Sequence, residues 1–178
     1  VARWGYAGSK LFTEHLGFAY REAYGLPVSA LRFFGSYGPR HHVSWWGGPQ
    51  AVFIDAVLND REISIHGDGL QTRSFTYVTD TVDGIYAAMM SPVADGEVLN
   101  IGSAHEITIL ELARTIHRIA QTPWPLKMAF VPYDSFTGRK YEDVRRRVPD
   151  IRHSQGLLGI VAKVGLEDGL ARTIAWHR

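Results

Sequence analysis

A short apolar run, Val28 to Phe34, is set between punctuation on both sides, and it restricts the fold more than any other feature of the chain. Gly25-Leu26-Pro27 precedes it and Gly35-Ser36-Tyr37-Gly38-Pro39-Arg40 follows it. Val, Leu and aromatic residues in a run of this length predict a buried strand. The helical pattern before it stops near Tyr24, at the Gly and Pro that end helices. A buried strand leaving into a Gly-bearing loop is where ligands gather in parallel sheets, outside the strands' carboxyl ends.

The helix before that strand opens with Gly5-Tyr6-Ala7-Gly8-Ser9-Lys10. Tyr6 and Lys10 are i, i+4 neighbours, so phenol and ammonium rise from one face. A neighbouring fixed cation favours the phenolate, and such a Tyr can take a proton from an alcohol. With eight Tyr and only a few Lys in the chain the spacing also arises by chance, so context has to decide. Phe12, Leu16, Ala19, Tyr20 and Ala23 form an apolar stripe at helical period, predicted to face a core. Tyr6, Lys10, Thr13 and Gly17 lie on a different face, an arrangement that suits a catalytic helix.

Among 178 residues, 46% are hydrophobic and 12% aromatic, enough for one packed domain. A net charge of +1 gives no whole-molecule argument for nucleic acid or membrane partners. Without Cys there is neither a disulfide nor a thiolate nucleophile. No apolar run reaches the ~20 residues needed to span a bilayer. No leader pattern opens the chain, and a cytoplasmic location is the default expectation.

Further along, helices are predicted over about 49–59, 80–90, 108–121, 155–158 and 166–177. Strands are predicted over 62–66, 72–78, 97–101 and 126–131, and a loop over 132–141. Thr79 or Asp80 is expected to cap the third helix, with Val82, Ile85, Tyr86 and Met89 inward. Thr108 with Glu111 forms a capping box, and Ile109, Leu112, Ala113, Ile116 and Ile119 point inward. His41 and His42 are adjacent, without acidic ligands nearby, and no metal site is expected there. Trp45 and Trp46 either stack on a base or cover a core edge. Arg73 read alone is as consistent with a surface charge as with a ligand contact, and Arg145-Arg146-Arg147 reads as a solvated face.

YAGSK, LRFFGSYGPR (31–40), GDGLQTRSFTYVTD (67–80), EVLNIGS (97–103) and RRRVPDI (145–151) occur in the order and spacing of one group. The chain resembles, over essentially its whole length, the C-terminal portion of extended short-chain dehydrogenase/reductases, in the branch of nucleotide-sugar epimerases, dehydratases and decarboxylases. The resemblance implies an α/β fold, the last parallel strands of a Rossmann-like sheet plus a small substrate-binding subdomain. Residues 1–40 would carry the catalytic helix and last strands of the NAD-binding domain. Residues 41–178 would form mainly the sugar-nucleotide subdomain, with 72–101 partly returning to the sheet.

The resemblance further implies that Tyr6 and Lys10 are catalytic and that, with Phe33, they touch the cofactor NAD. Arg73 and Arg147 would contact the substrate, a UDP- or dTDP-sugar. Gly35 stands where the family carries a diphosphate-touching Asn, so a backbone N–H would have to serve there. A homodimer through the Tyr6–Lys10 helix is expected.

No Gly-rich strand-to-helix loop occurs in the sequence, so the N-terminal dinucleotide-binding half is expected to be absent and the chain to be the C-terminal part of a longer protein. Alone it should bind NAD weakly or not at all, without turnover. The expected activity of the parent is epimerisation through a transient 4-keto sugar, with 4,6-dehydration or UDP-glucuronate decarboxylation as alternatives. Arg147 favours the decarboxylase, whereas Gly47-Gly48-Pro49 lacks an Arg that some decarboxylases carry. In another class stands an inactive sugar-nucleotide-binding or dimerisation module.

Overall fold

A computed structural model describes residues 2–42, 47–133, 135 and 143–178. Trp45, Trp46 and most of the predicted 132–141 loop lie outside the described residues. The architecture is α/β. Helix α1 (Ala2–Tyr24) leads into β1 (Ala30–Phe33), which pairs in parallel with β6 (Val98–Ile101), Ala30 opposite Val98 and Phe33 opposite Ile101. The predicted buried strand thus has a parallel partner, but its far end is open and Phe33 is exposed.

The predicted strand 72–78 is instead two short strands, β4 (Thr72–Arg73) and β5 (Thr76–Tyr77), with α3 (Val78–Met90) starting at once. β5 pairs in parallel with β2 (Ser36–Tyr37), while β4 lies between antiparallel β7 (Ile107–Thr108) and parallel β9 (Arg146–Arg147). Another parallel pair joins β3 (Ile63–His66) to β8 (Met128–Val131).

Two cores result. Helices α2 (Gly48–Leu58), α4 (Ile109–Ala120) and α6 (Leu166–His177) bury Phe53, Ile54, Leu112, Ile116, Leu170 and Ile174 together with Ile63, Ile65 and Tyr37. α2 carries apolar residues around most of its circumference, as a buried helix should. The second core gathers Ala88, Ala94, Leu99 and Ile101 with Leu31 and α5 (Arg152–Leu158). Thr108 and Glu111 form both bonds of the capping box, and α6 has its predicted bounds.

Two predicted faces are corrected. On α3 the buried residues are Asp80, Thr81, Gly84 and Ala88, while Val82, Ile85, Tyr86 and Met89 are exposed. Close approach selects the small side chains, since a Cβ on Gly84 would come within 2.6 Å of Ile101 Cγ2. Neither Thr79 nor Asp80 caps this helix. Tyr77 is the N-cap residue, and Asp80 Oδ2 instead accepts the Val164 N–H at 2.9 Å. On α1 the stripe Phe12, Leu16, Ala19, Tyr20 and Ala23 is exposed, because no element among the described residues lies against it. No helix among the described residues is long and apolar enough to cross a membrane.

Candidate functional site

The helix that carries Tyr6 and Lys10 is held to the β1–β6 pair by its other half. Glu14 accepts a bidentate pair of bonds from Arg32 of β1, at 2.8 and 2.7 Å. Arg21 donates a similar pair to Asp95, at 2.9 and 3.0 Å, and Asp95 also takes the Val28 N–H. Between them Gly17 lies so close to Val28 that a Cβ would stand 3.2 Å from Val28 Cγ1.

At 100° per residue Tyr6, Lys10, Glu14, Gly17 and Arg21 fall within a sector of about 80°, so the docked face and the Tyr–Lys face are one face. Gly17 meets Val28, and Arg21 shares Asp95 with the Val28 N–H, whereas Glu14 meets Arg32, so helix and strand run in opposite directions. One helical turn before Glu14 covers about 6 Å, roughly the span of two strand residues beyond Arg32. Lys10 and Tyr6 therefore overhang the carboxyl end of β1, where Phe34 and Gly35 begin the ligand-type loop. Tyr6 is 72% exposed, and Lys10 Nζ stands 5.5 Å from its ring centroid.

Gly35 has φ +54°, a left-handed conformation that glycine adopts without strain. Its Cβ position is occupied by the Ser74 carbonyl oxygen and flanked by Phe75 Cδ1 at 3.1 Å. The loop after β1 is thereby pressed onto the residues that follow Arg73. Thr76 links the same region, because its hydroxyl donates to the Phe34 carbonyl at 3.0 Å and accepts the Ser103 N–H at 2.9 Å. The loops after β1 and β6 are so joined by one side chain that the sequence reading passed over.

Arg73 is only 7% exposed. Its Nη1 donates to the carbonyls of Thr72 and Val144, both at 2.7 Å, and its Nη2 donates to Asp143 Oδ2 at 2.7 Å. Buried charge requires such partners. Tyr133 donates to the same Oδ2 at 3.1 Å, and burial, followed by the charge of Asp143, pushes its phenol up to about 12. Parallel pairing sets Arg73 and Arg147 directly opposite one another on β4 and β9, with Arg147 exposed. Two arginines 74 positions apart in sequence are thus cross-strand neighbours.

The structure links Gly35 to the Arg73 strand and sets Arg73 opposite Arg147, while Phe33 ends β1 and Tyr6 and Lys10 lie on the face of α1 that docks on that strand. Another cleft, lined in part by Thr76, Asp80, Asn100, Gly102, Ser154 and Lys163, contains none of them. Across it Lys163 pairs with Asp83, and the Ser154 hydroxyl donates to the Asn100 carbonyl. His41 is half-buried; burial, then His177 and His42, lowers its pKa. Among the described residues no group of three or more His, Asp or Glu could hold a metal ion. Asp143 and Tyr133 had escaped the sequence reading, although Asp143 sits within the stretch that precedes the three arginines.

This arrangement defines a class, a Rossmann-like α/β chain in which a Tyr–Lys helix is docked on the first strand of a parallel pair. The chain belongs to the family described as GDP-mannose 4,6 dehydratase, which it matches over residues 1–173, and so to the extended short-chain dehydrogenase/reductases. It is 38% identical over 176 residues to a UDP-N-acetyl-alpha-D-glucosaminuronate decarboxylase of Bacillus cytotoxicus, covering 99% of this chain and 54% of that protein. To UDP-glucuronic acid decarboxylase 1 of Xenopus tropicalis it is 34% identical, covering 97% of this chain and 38% of the relative. Among solved structures it superposes on UDP-glucuronic acid 4-epimerase from Bacillus cereus, in complex with UDP-glucuronic acid and NAD, with TM-score 0.84, 30% identity, and coverage of 96% and 51% of the two chains. The chain thus spans about half the length, or less, of these relatives.

Proposed function

We propose that these residues supply the Tyr–Lys pair and the sugar-nucleotide side of an NAD-dependent enzyme that epimerises a UDP- or dTDP-hexose at C4. The observation that supports the reading is the docking of α1 on β1 through Glu14 and Arg32, with Tyr6 and Lys10 on the same helix face, above a loop that packs against the Arg73 strand at Gly35.

Tyr6 and Lys10, on the face of α1 that docks on β1, would meet the ribose of NAD, and the exposed ring of Phe33 at the end of that strand would meet the cofactor from the strand itself. No Gly-rich loop is present to hold its adenosine and pyrophosphate, so the reading requires other protein for that part. When bound, NAD accepts a hydride from the sugar C4 and returns it. Tyr6 takes the proton of the C4 hydroxyl at its phenolic oxygen as the C–H bond breaks, and returns it when the ketone is reduced. Lys10 holds the ribose hydroxyls and places positive charge beside that phenol. Arg73 and Arg147 hold the diphosphate side of the substrate, where a planar guanidinium suits phosphate oxygens.

A second reading, decarboxylation of a UDP-uronate, is favoured by the names of the relatives above and by Arg147. A C4 ketone makes the uronate a β-keto acid, which loses its carboxyl carbon as carbon dioxide. Both readings share the Tyr6 step. A homodimer formed through the exposed face of α1 is part of the proposal, supported by the apolar side chains of Phe12, Leu16 and Tyr20 on that face.

The test is turnover by the NAD-loaded enzyme carrying these residues. Tyr6→Phe should lower kcat by about 10²- to 10⁴-fold, the range for loss of a general base, with KM little changed. An unchanged kcat overturns the mechanism. UDP-glucose and UDP-glucuronate as alternative substrates, with carbon dioxide release followed, decide between the two outcomes.

A further inference from the structure

Arg73 is fixed by an unusually complete set of partners, and the set is lopsided. Both hydrogens of Nη1 go to backbone carbonyls, and Nη2 reaches one carboxylate oxygen. Nε and the second hydrogen of Nη2 have no partner among the described residues. The carboxylate in question, Asp143, is itself anchored on three sides. Its Oδ1 accepts the N–H of Val144 at 2.8 Å, and its Oδ2 accepts Arg73 and the Tyr133 hydroxyl.

Tyr133 is held in turn, since a Cβ on Gly67 would come within 2.5 Å of its ring and His66 packs edge-on against it at 6.3 Å. Its phenol is protonated at neutral pH, as an ordinary phenol is, and burial followed by Asp143 pushes it further up, to about 12, so it stays a donor. The guanidinium plane is therefore set from one side, and Nε is left without a partner among the described residues.

We propose that Asp143, braced by Tyr133, is a positioning residue that orients the Arg73 guanidinium so that its Nε edge meets the phosphates of a nucleoside diphosphate. The inference rests on the reading of Arg73 as a phosphate contact and goes beyond it by naming what aims that contact. A bidentate fork binds phosphate well only when its plane is fixed beforehand, since a swinging guanidinium gives up orientation on binding. An opposite role is also chemically open to Asp143, that of a competitor that phosphate must displace, and the two roles move affinity in opposite directions. The bonds that Asp143 accepts come from Arg73, Tyr133 and the Val144 N–H, three fixed donors on one side of the guanidinium, which favours positioning.

The experiment compares UDP with uridine, which lacks phosphate, by titration of the intact chain with Trp fluorescence as readout. Asp143→Ala should weaken UDP about tenfold, the effect of losing one well-aimed charge-assisted hydrogen bond, and leave uridine unchanged. Asp143→Asn, which keeps an oxygen acceptor for Nη2, should recover most of that loss. If the Ala variant does not fold, Tyr133→Phe carries the same test, with an expected fall of about threefold in the ratio of UDP to uridine affinity. Tighter UDP binding, or an equal fall for both ligands, overturns the positioning role. Arg73→Ala separates the two levels. If it leaves UDP affinity unchanged, the reading of Arg73 is wrong. If it abolishes the UDP preference while Asp143→Ala does not alter it, only the role of Asp143 fails.

Discussion

Gly35 shows at the scale of one residue how a departure in sequence becomes a constraint in space. Its φ of +54° and the Ser74 carbonyl at its Cβ position leave no room for a side chain. Gly35→Ala should therefore cost about 1–3 kcal/mol, seen as a lower urea midpoint with the slope unchanged. The same substitution should disturb the Arg73 strand, because Ser74 follows Arg73 directly. From the sequence, Gly35 was legible as a missing donor but not as a packing point, since its neighbour is far along the chain. Arg73 and Arg147 were singled out by the family motifs as substrate contacts. Their register was not legible, because pairing between short strands depends on every intervening turn.

Elements with local codes were the most readable. The capping box of α4 and the bounds of α6 follow from residues three or four apart, and the structure keeps both. Thr108→Ala should lower stability by about 1 kcal/mol in thermal or urea unfolding, the usual cost of an N-cap. α3 misled the reading because two adjacent stripes have the same period, one large and apolar, one small. Packing distance chose the small one, which periodicity alone does not encode.

For α1 the docking has a pH signature. The bonds from Arg32 hold the Glu14 carboxyl below its usual value of 4.5. A depressed folded-state pKa contributes stability that is present above the unfolded value and lost as pH falls through the folded one. Between pH 5 and 3 the intact chain should lose more stability than Glu14→Gln, measured by thermal unfolding across pH. Equal losses would mean that this ion pair does not hold the helix.

For the molecule as a whole, five motifs in order gave the family and the α/β class, while the division of the interior into two cores emerged only in three dimensions. Large side chains on α1 and α3 remain exposed, among them Phe12, Leu16, Val82 and Met89. Apolar surface of this extent drives association. Sedimentation should show self-association that rises with concentration and is reduced by Leu16→Glu, a change that leaves both cores intact. A chain that stays monomeric at all concentrations would contradict the dimer surface.

The central claim is that this chain carries a sugar-nucleotide site built around Arg73. Titration of UDP-glucuronate into the chain, with the same titration of Arg73→Ala beside it, tests this most directly. The account predicts saturable binding that weakens at least tenfold in the variant, about the 1.4 kcal/mol or more of a lost charged contact. Equal binding by both proteins, or none by either, would contradict it.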